Sequence, residues 1–326
     1  MKENTLKILL TNHYEGKPAE IIKSAVPDGF ELEMLESVSQ QELEGKVKEA
    51  DYLLVSGRLK INRTVLENAQ NIKMIQRTGV GLDSIDLEYI RNHDVPFYVN
   101  KGVNAQSVAE HTILLMLASL RNLVEINENT KRGIWKKQAQ GVCTYELCGK
   151  TVGLIGMGAI GRKVAGMLKA FGAEVLYNDV SKMKKEDENA LGIKFSTREE
   201  IIEKSDIISL HCPLTDDTLH MINDGTVNKM KNGVILINTA RGGLIDEAAL
   251  INGIESGKIA GAGIDVYEKE PVDNREVLNL QNVITTPHIG GVTYDSFYQM
   301  MYQAMRNIEM FDKGQLQEIE QSRYKF

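Results

Sequence analysis

The sequence predicts an α/β protein of two doubly wound parallel-sheet domains, with the second inserted into the first. Three observations carry this. Strand-like and helix-like segments alternate from residue 6 onward, and repeated strand–helix units build parallel sheets covered by helices on both faces. Residues 151–179, TVGLIGMGAIGRKVAGMLKAFGAEVLYND, read as strand, glycine turn, helix and a second strand ending in an acid. Such a turn normally follows the first strand of its sheet, yet here it arrives only after a complete run of earlier strand–helix units. The length agrees: 326 residues against a prior of about 150 per domain suggests two.

In chain order, LKILLT (6–11), FELEML (30–35), DYLLVS (51–56), IKMIQRT (72–78) and PFYVN (96–100) are β-rich runs. Helical stretches PAEIIKSAV (18–26) and QQELEGKVKEA (40–50) fall between them. Ala105–Lys131 reads as one long helix, with Val108, Thr112, Leu115, Met116 and Leu120 on one face. It is too long for a crossover within the first sheet, so it is expected to bridge the domains. Strands TVGLI, EVLYND, IKF, DIISLH, VILINTA, GAGIDV and NVITTP follow. Ser196 and Glu199 predict a capping box, and Asp246 predicts a cap for a helix ending near Gly257. The stretch TYDSFYQMMYQAMRNIEMF is helical and is expected to return to the first domain.

Each glycine of the turn has a physical reason. Gly156 allows the tight turn off the strand, Gly158 lets the backbone approach a diphosphate, and Gly161 lets helix and strand pack closely. The helix start supplies unpaired N–H groups and a partial positive charge. Asp179, 18 residues beyond Gly161, suits the hydroxyls of an adenosine ribose. Strand, turn, helix and acid in that order predict dinucleotide binding. Lys182, Lys184 and Lys185 follow Asp179 and raise the question of a 2′-phosphate. Asp179 would repel such a phosphate, so NAD is expected over NADP, and the lysines read as a solvated helix start.

Ligands of open α/β sheets bind beyond the carboxyl ends of the strands. Asp179, His211, Arg241, Asp265 and His288 all fall at or just beyond strand ends in the second half, as does the glycine turn. Three residues suffice for redox chemistry on a 2-hydroxy acid. Arg241 suits a substrate carboxylate and carbonyl oxygen. His288 suits proton exchange with the hydroxyl near neutrality, and Glu270 suits orientation of that imidazole.

At this point the chain resembles the D-isomer-specific 2-hydroxyacid dehydrogenase family over essentially its whole length. The resemblance rests on RTGVGLDSID (77–86), VNAQSVAEHT (103–112), GLIGMGAIG (153–161), SLHCPLTDDT (209–218), INTARGGLIDEAAL (237–250), GAGIDVYEKEP (261–271) and TPHIGG (286–291). It implies a Rossmann NAD-binding domain at 104–289, inserted into a flavodoxin-like substrate domain formed by 1–103 and 290–326. It implies catalytic Arg241, Glu270 and His288. Cofactor contacts are implied for Gly156, Gly158, Ala159, Ile160, Gly161, Asp179, His211, Pro213, Thr239, Ala240, Asp265 and Gly290. Asp265 would meet the nicotinamide carboxamide. The Val80–Gly81 backbone is implied to bind the substrate carboxylate. Family members are typically dimers joined through their nucleotide domains, with a hinged substrate domain that closes over the cleft.

The substrate stays open between 3-phosphoglycerate, glyoxylate or hydroxypyruvate, D-lactate-type acids and phosphite. Glu270 stands where formate dehydrogenases of this superfamily carry glutamine, which argues against that activity. Arg58, Lys60 and Arg77 suit a phosphate, and KRGIWKKQAQG (131–141) adds bases. These lean slightly toward a phosphoglycerate-like acid, in a short form without a C-terminal regulatory domain. The rival from another class is an NAD-sensing scaffold similar to the corepressors that resemble this family. A methyltransferase or an NAD-dependent hydrolase leaves the arginine and the PHIGG stretch unexplained.

A net charge of −7 argues against a nucleic-acid surface. Ile113–Ala118 is the longest strongly apolar run, far short of the ~20 residues of a membrane helix. No signal peptide is expected. Cys143, Cys148 and Cys212 match no disulfide or metal pattern, so no metal is expected and a cytoplasmic setting is. His13, His93 and His220 read as surface or loop residues, and His111 as a helix-packing residue. Trp135 reads as an anchor of interdomain or dimer packing, and Met300, Met301 and Met305 as core.

Overall fold

The computed structural model describes residues 5–57 and 59–326. Arg58, one of the residues expected to bind a phosphate, lies outside the described residues. The chain forms two compact units, Met1–Asn104 with Thr293–Phe326, and Ala105–Val292.

In the first unit the strands are β1 (Leu6–Leu10), β2 (Phe30–Met34), β3 (Tyr52–Val55), β4 (Met74–Arg77) and β5 (Phe97–Val99). They pair in parallel, in the order β2-β1-β3-β4-β5. That is the 2-1-3-4-5 doubly wound order. β3 is buried along its whole length, as expected for a central parallel strand covered on both faces. The helix Tyr294–Asp312 packs on this sheet through Phe297, Met301, Ala304, Met305 and Ile308. Beneath it, Asn307 donates to Gln76, Gln76 to Asn100, and Asn100 to the Met300 carbonyl. This buried polar set, with its partners satisfied, specifies one seating of the helix on the sheet.

The second unit holds β6 (Thr151–Ile155), β7 (Glu174–Asn178), β8 (Ile193–Phe195), β9 (Ile207–Leu210), β10 (Val234–Asn238), β11 (Ile259–Ile264) and β12 (Val283–Thr285). Their order is β12-β11-β10-β9-β6-β7-β8, every pair parallel. Numbered within the unit, the order is 3-2-1-4-5-6-7, a Rossmann sheet extended by one strand. Because all seven run the same way, all their carboxyl ends lie on one edge, with the switch point between β6 and β9.

Two local expectations are corrected. The predicted single helix at 105–131 is two helices, Ala105–Leu120 and Leu123–Lys131, broken where Asn122 takes a left-handed backbone (φ 46°). The first helix belongs to the second unit. Its apolar residues, among them Ala109, Ile113, Leu115 and Met116, bury it in the core of the second unit. Helix Leu123–Lys131 buries none of its residues. The capping box lies one residue later than predicted, on Thr197 and Glu200. Ser196 is unavailable for capping because it continues the sheet: it is buried, and its N–H donates to the Tyr177 carbonyl. Asp246 caps the helix Glu247–Glu255 as predicted, accepting from the N–H groups of Ala248 and Ala249.

Candidate active site

The glycine turn is shaped by contacts that admit no side chain. Gly156 has φ 103°, and a Cβ there would stand 2.5 Å from the His211 carbonyl carbon. A Cβ on Gly161 would stand 2.3 Å from the Gly156 oxygen. Strand β6, the strand end at His211 and the helix Ala159–Ala170 are therefore pressed together at the switch point. Gly158 caps that helix, and a Cβ there would meet no protein atom within 4 Å. This is the contrast that a diphosphate cradle requires: two glycines needed by the fold, and one facing open space before the N–H groups of Ala159, Ile160 and Gly161.

Asp179, just past β7, turns toward this loop. Its Oδ2 accepts from the Met157 N–H at 2.6 Å and its Oδ1 from the Ser181 N–H at 3.1 Å. Of the nearby lysines, Lys185 pairs with Glu188 at 2.9 Å and Lys182 lies over the Phe195 ring at 5.3 Å. Lys184 serves as the N-cap residue of the helix Lys185–Leu191. Two of the three cations are thus engaged away from the acid. His211 follows β9, and burial pushes its imidazole down to about 4, so it stands neutral, bonded through Nε2 to the Ser209 hydroxyl at 3.0 Å. Burial pushes the neighbouring Cys212 thiol up to about 11, which leaves it unreactive near neutrality. The carbonyl of Pro213 accepts from the Thr218 hydroxyl.

The turn after β10 carries Thr239, Ala240 and Arg241, and Asn238 clamps it. Asn238 donates to the Arg241 carbonyl at 2.8 Å and accepts from the Ala240 N–H at 3.1 Å. The Thr239 hydroxyl is buried against that of Thr112 at 2.9 Å. The Arg241 guanidinium donates to the Ala240 carbonyl at 2.7 Å. A Cβ on Gly242 would stand 1.9 Å from the Tyr267 carbonyl carbon, so this turn lies directly on the loop after β11. Any larger residue at 242 would displace Arg241 from Glu270's loop.

On that second loop, Glu270 Oε2 is 2.8 Å from His288 Nδ1, and Glu270 Oε1 accepts from the Tyr267 N–H at 3.1 Å. A carboxylate only accepts, so the proton of this bond lies on Nδ1. Nε2 is then the nitrogen that exchanges a proton. The Glu270 side chain is 15% exposed and that of His288 44%, which gives a sheltered carboxylate behind an accessible imidazole.

His288 sits in the left-handed region (φ 56°), which costs a non-glycine residue about 1–3 kcal/mol. Asp265, 1% exposed at the end of β11, holds it there. Its carbonyl accepts from the His288 N–H at 2.8 Å, and its carboxylate accepts from the N–H groups of Ile289 (2.9 Å) and Gly290 (2.8 Å). The Thr286 hydroxyl adds a bond at 2.6 Å. Hydrogen bonds to a charged group contribute about 1.5–3 kcal/mol each, so three of them outweigh the strain. Asp265 is expected from the resemblance to meet the cofactor; the structure gives its carboxylate a loop-shaping role besides. Sequence reasoning missed His111 as a member of this network. Its Nε2 lies 3.1 Å from the Thr286 hydroxyl and 3.6 Å from Asp265. The only signal was its place in VNAQSVAEHT.

In the first unit, Arg77 ends β4, and Val80 and Gly81 lie in the loop that follows it. Arg77 donates from Nε to the Gly81 carbonyl at 3.0 Å and from Nη1 to the carbonyls of Val55 and Gly57. It braces the segment bearing Val80, a residue 49% exposed. Among the described residues, no group of three or more His, Cys, Asp or Glu is arranged to hold a metal. No helix there is long and apolar enough to cross a membrane.

A dinucleotide turn and a carboxylate-paired histidine at one edge of a Rossmann sheet define a nicotinamide-linked oxidoreductase. The chain belongs to the D-isomer-specific 2-hydroxyacid dehydrogenases. Residues 113–290 match that family's NAD-binding domain. The chain is 41% identical over 270 residues to a hydroxypyruvate reductase of Thermotoga maritima, covering 82% of this chain and 86% of that protein. It is 39% identical to a D-3-phosphoglycerate dehydrogenase of Archaeoglobus fulgidus, covering 82% of this chain and 51% of the longer enzyme. The crystal structure of D-lactate dehydrogenase from Aquifex aeolicus, complexed with NAD and lactic acid, superposes with a TM-score of 0.85 at 30% identity, covering 97% of this chain and 98% of that one. The protein is therefore an NAD-dependent dehydrogenase of 2-hydroxy acids.

Proposed function

We propose that the protein interconverts a small, unphosphorylated D-2-hydroxy acid and its 2-oxo acid, with hydroxypyruvate or glyoxylate as the oxo substrate. The Glu270–His288 bond at 2.8 Å, on the sheet edge that also bears Arg241 and the glycine turn, carries this reading. Bound NAD supplies the nicotinamide that gives or takes the hydride. Arg241 holds the substrate carboxylate and carbonyl oxygen by charge-assisted bonds. His288 Nε2 delivers a proton to that oxygen as the carbonyl is reduced and removes it in the reverse direction. Glu270 keeps Nδ1 protonated and stabilises the imidazolium. On the cofactor side, Gly156, Gly158, Ala159, Ile160 and Gly161 receive the diphosphate, and Asp179 the adenosine ribose. His211, Pro213, Thr239, Ala240, Asp265 and Gly290 are the further proposed contacts. Val80 and Gly81, on the loop braced by Arg77, offer backbone N–H groups suited to a carboxylate.

The preference for an unphosphorylated acid rests on the Thermotoga relative, a hydroxypyruvate reductase matched over 86% of its length. The Archaeoglobus relative favours 3-phosphoglycerate as the second reading. A panel of glyoxylate, hydroxypyruvate, phosphohydroxypyruvate, pyruvate and branched 2-oxo acids, followed by loss of NADH absorbance, separates the two. Highest kcat/KM is expected on hydroxypyruvate or glyoxylate. A phosphohydroxypyruvate optimum would transfer the assignment to the second reading, and inactivity across the panel would favour the NAD-sensing scaffold.

The assembly is proposed to be a homodimer joined through the NAD-binding domain. Leu123, Val124, Trp135, Val142 and Tyr145, all within 23 residues of sequence, are each half or more exposed, with Trp135 at 81%, and burial against a second copy would remove them from water. Light scattering after size exclusion should give the mass of two chains, and Trp135→Glu should shift it toward one. A monomeric wild type would reject the dimer. Three unpaired cysteines accord with a cytoplasmic setting.

A further inference from the structure

The loop from Thr286 to Gly290 takes its shape from Asp265, and the orientation of Asp265 leads back to His111. The Asp265 carboxylate is an acceptor, so the Thr286 hydroxyl, 2.6 Å away, must spend its proton on it. That hydroxyl oxygen can then only accept from its remaining neighbour, His111 Nε2, at 3.1 Å. The geometry thus assigns the hydrogen of His111 to Nε2 and a one-way chain of donors, His111 to Thr286 to Asp265. The same nitrogen lies 3.6 Å from Asp265 Oδ1. The ring also abuts the loop directly: a Cβ on Gly290 would stand 3.1 Å from His111 Cδ2. His111 projects from the helix Ala105–Leu120, whose inner residues are buried in the core of the second unit, so its position is fixed independently of the loop it touches.

We infer that His111 is a positioning residue for His288, acting through Thr286 on the carboxylate that shapes the 286–290 loop. The inference rests on the acid–base reading of His288 given above. The carboxylate clamps the N–H groups of Ile289 and Gly290, which follow His288 directly, so loosening it lets the left-handed backbone at His288 relax and carry the imidazole away from Glu270. Displacement of a reacting group by about 1 Å can cost 10²-fold in rate, so the chain of donors bears on turnover without touching substrate.

Four variants test it: His111→Leu, His111→Gln, Thr286→Val and Thr286→Ser. His111→Leu and Thr286→Val break the chain, whereas glutamine keeps an N–H donor at similar reach and serine keeps the hydroxyl. Breaking it should lower kcat about 10–100-fold, with KM for the 2-oxo acid within about threefold. In the protein without cofactor, amide exchange at Ile289 and Gly290 should quicken by about tenfold and return toward wild type in His111→Gln and Thr286→Ser. The double variant His111→Leu with Thr286→Val should lose no more than either single one, as for two links of one chain. The inference is overturned if His111→Leu keeps kcat within twofold, if His111→Gln is as impaired as His111→Leu, or if the two losses multiply. Should His111→Leu fail to fold, the Thr286→Val and Thr286→Ser pair decides by the same kinetic and exchange criteria. His288→Ala is measured alongside. Undiminished turnover there removes the acid–base reading and this inference together, whereas a dead His288→Ala beside a fully active His111→Leu removes the inference alone.

Discussion

His288→Ala is expected to lower kcat by a factor on the order of 10²–10⁴ while leaving NADH affinity within a few-fold. The size follows from what a positioned acid–base group contributes. The imidazole is held at Nδ1 by Glu270 at 2.8 Å, so Nε2 meets the reacting oxygen with its tautomer already chosen. Alanine leaves water to exchange that proton without orientation. NADH affinity is spared because the diphosphate cradle and Asp179 follow β6 and β7, whereas His288 follows β12 at the sheet's outer edge. Steady-state kinetics on the best 2-oxo acid, with NADH binding read by fluorescence, check both parts. Turnover within a factor of a few of wild type would refute the acid–base role. Loss of NADH binding in parallel would instead indicate that the substitution had disrupted the loop.

Arg241→Ala should reduce kcat/KM about 30- to 4,000-fold, matching the ~2–5 kcal/mol that truncating one partner of a buried charge pair costs. Arg241→Lys should recover only part of it, because an ammonium is a point charge and cannot bridge two oxygens as a planar guanidinium does. The structure makes this a sharp test. Asn238 clamps both sides of the turn, and Gly242 lies against the Tyr267 backbone, so the base of the side chain is fixed and its removal should not let the loop compensate. A rise in KM for the 2-oxo acid with unchanged NADH affinity is the expected signature. Full activity of the lysine variant would show that charge alone suffices, and the bidentate role would fall.

Much of the site was legible in sequence because its parts are punctuated locally. A glycine that must take φ 103° beside another backbone leaves a mark at one position, as does an acid ending a strand. The misplaced helix boundary and capping box are local too, and each has a tertiary cause. The 105–131 helix was read whole because nothing in its pattern forbids continuation at Asn122; the break comes where the first segment's burial ends and the exposed segment begins. The capping box was misplaced by one residue because Ser196 and Thr197 are chemically equivalent caps. Pairing of the Ser196 N–H with β7 decides between them. His111 was read as packing because a histidine on an apolar helix carries no sign of its partner.

By itself, the sequence determined the two doubly wound sheets, the position of the dinucleotide turn and the identities of Arg241, Glu270 and His288 as candidates. Those follow from hydrophobic period, turn chemistry and residue type, all short-range properties of the chain. Only the tertiary structure decided that Glu270 meets His288 across 18 residues, that Arg77 braces a loop, and that His111 reaches Thr286 across 175. Such partnerships depend on which strand ends and helix faces the sheet order brings together. That is settled by burial of the whole core, and no local spacing records it.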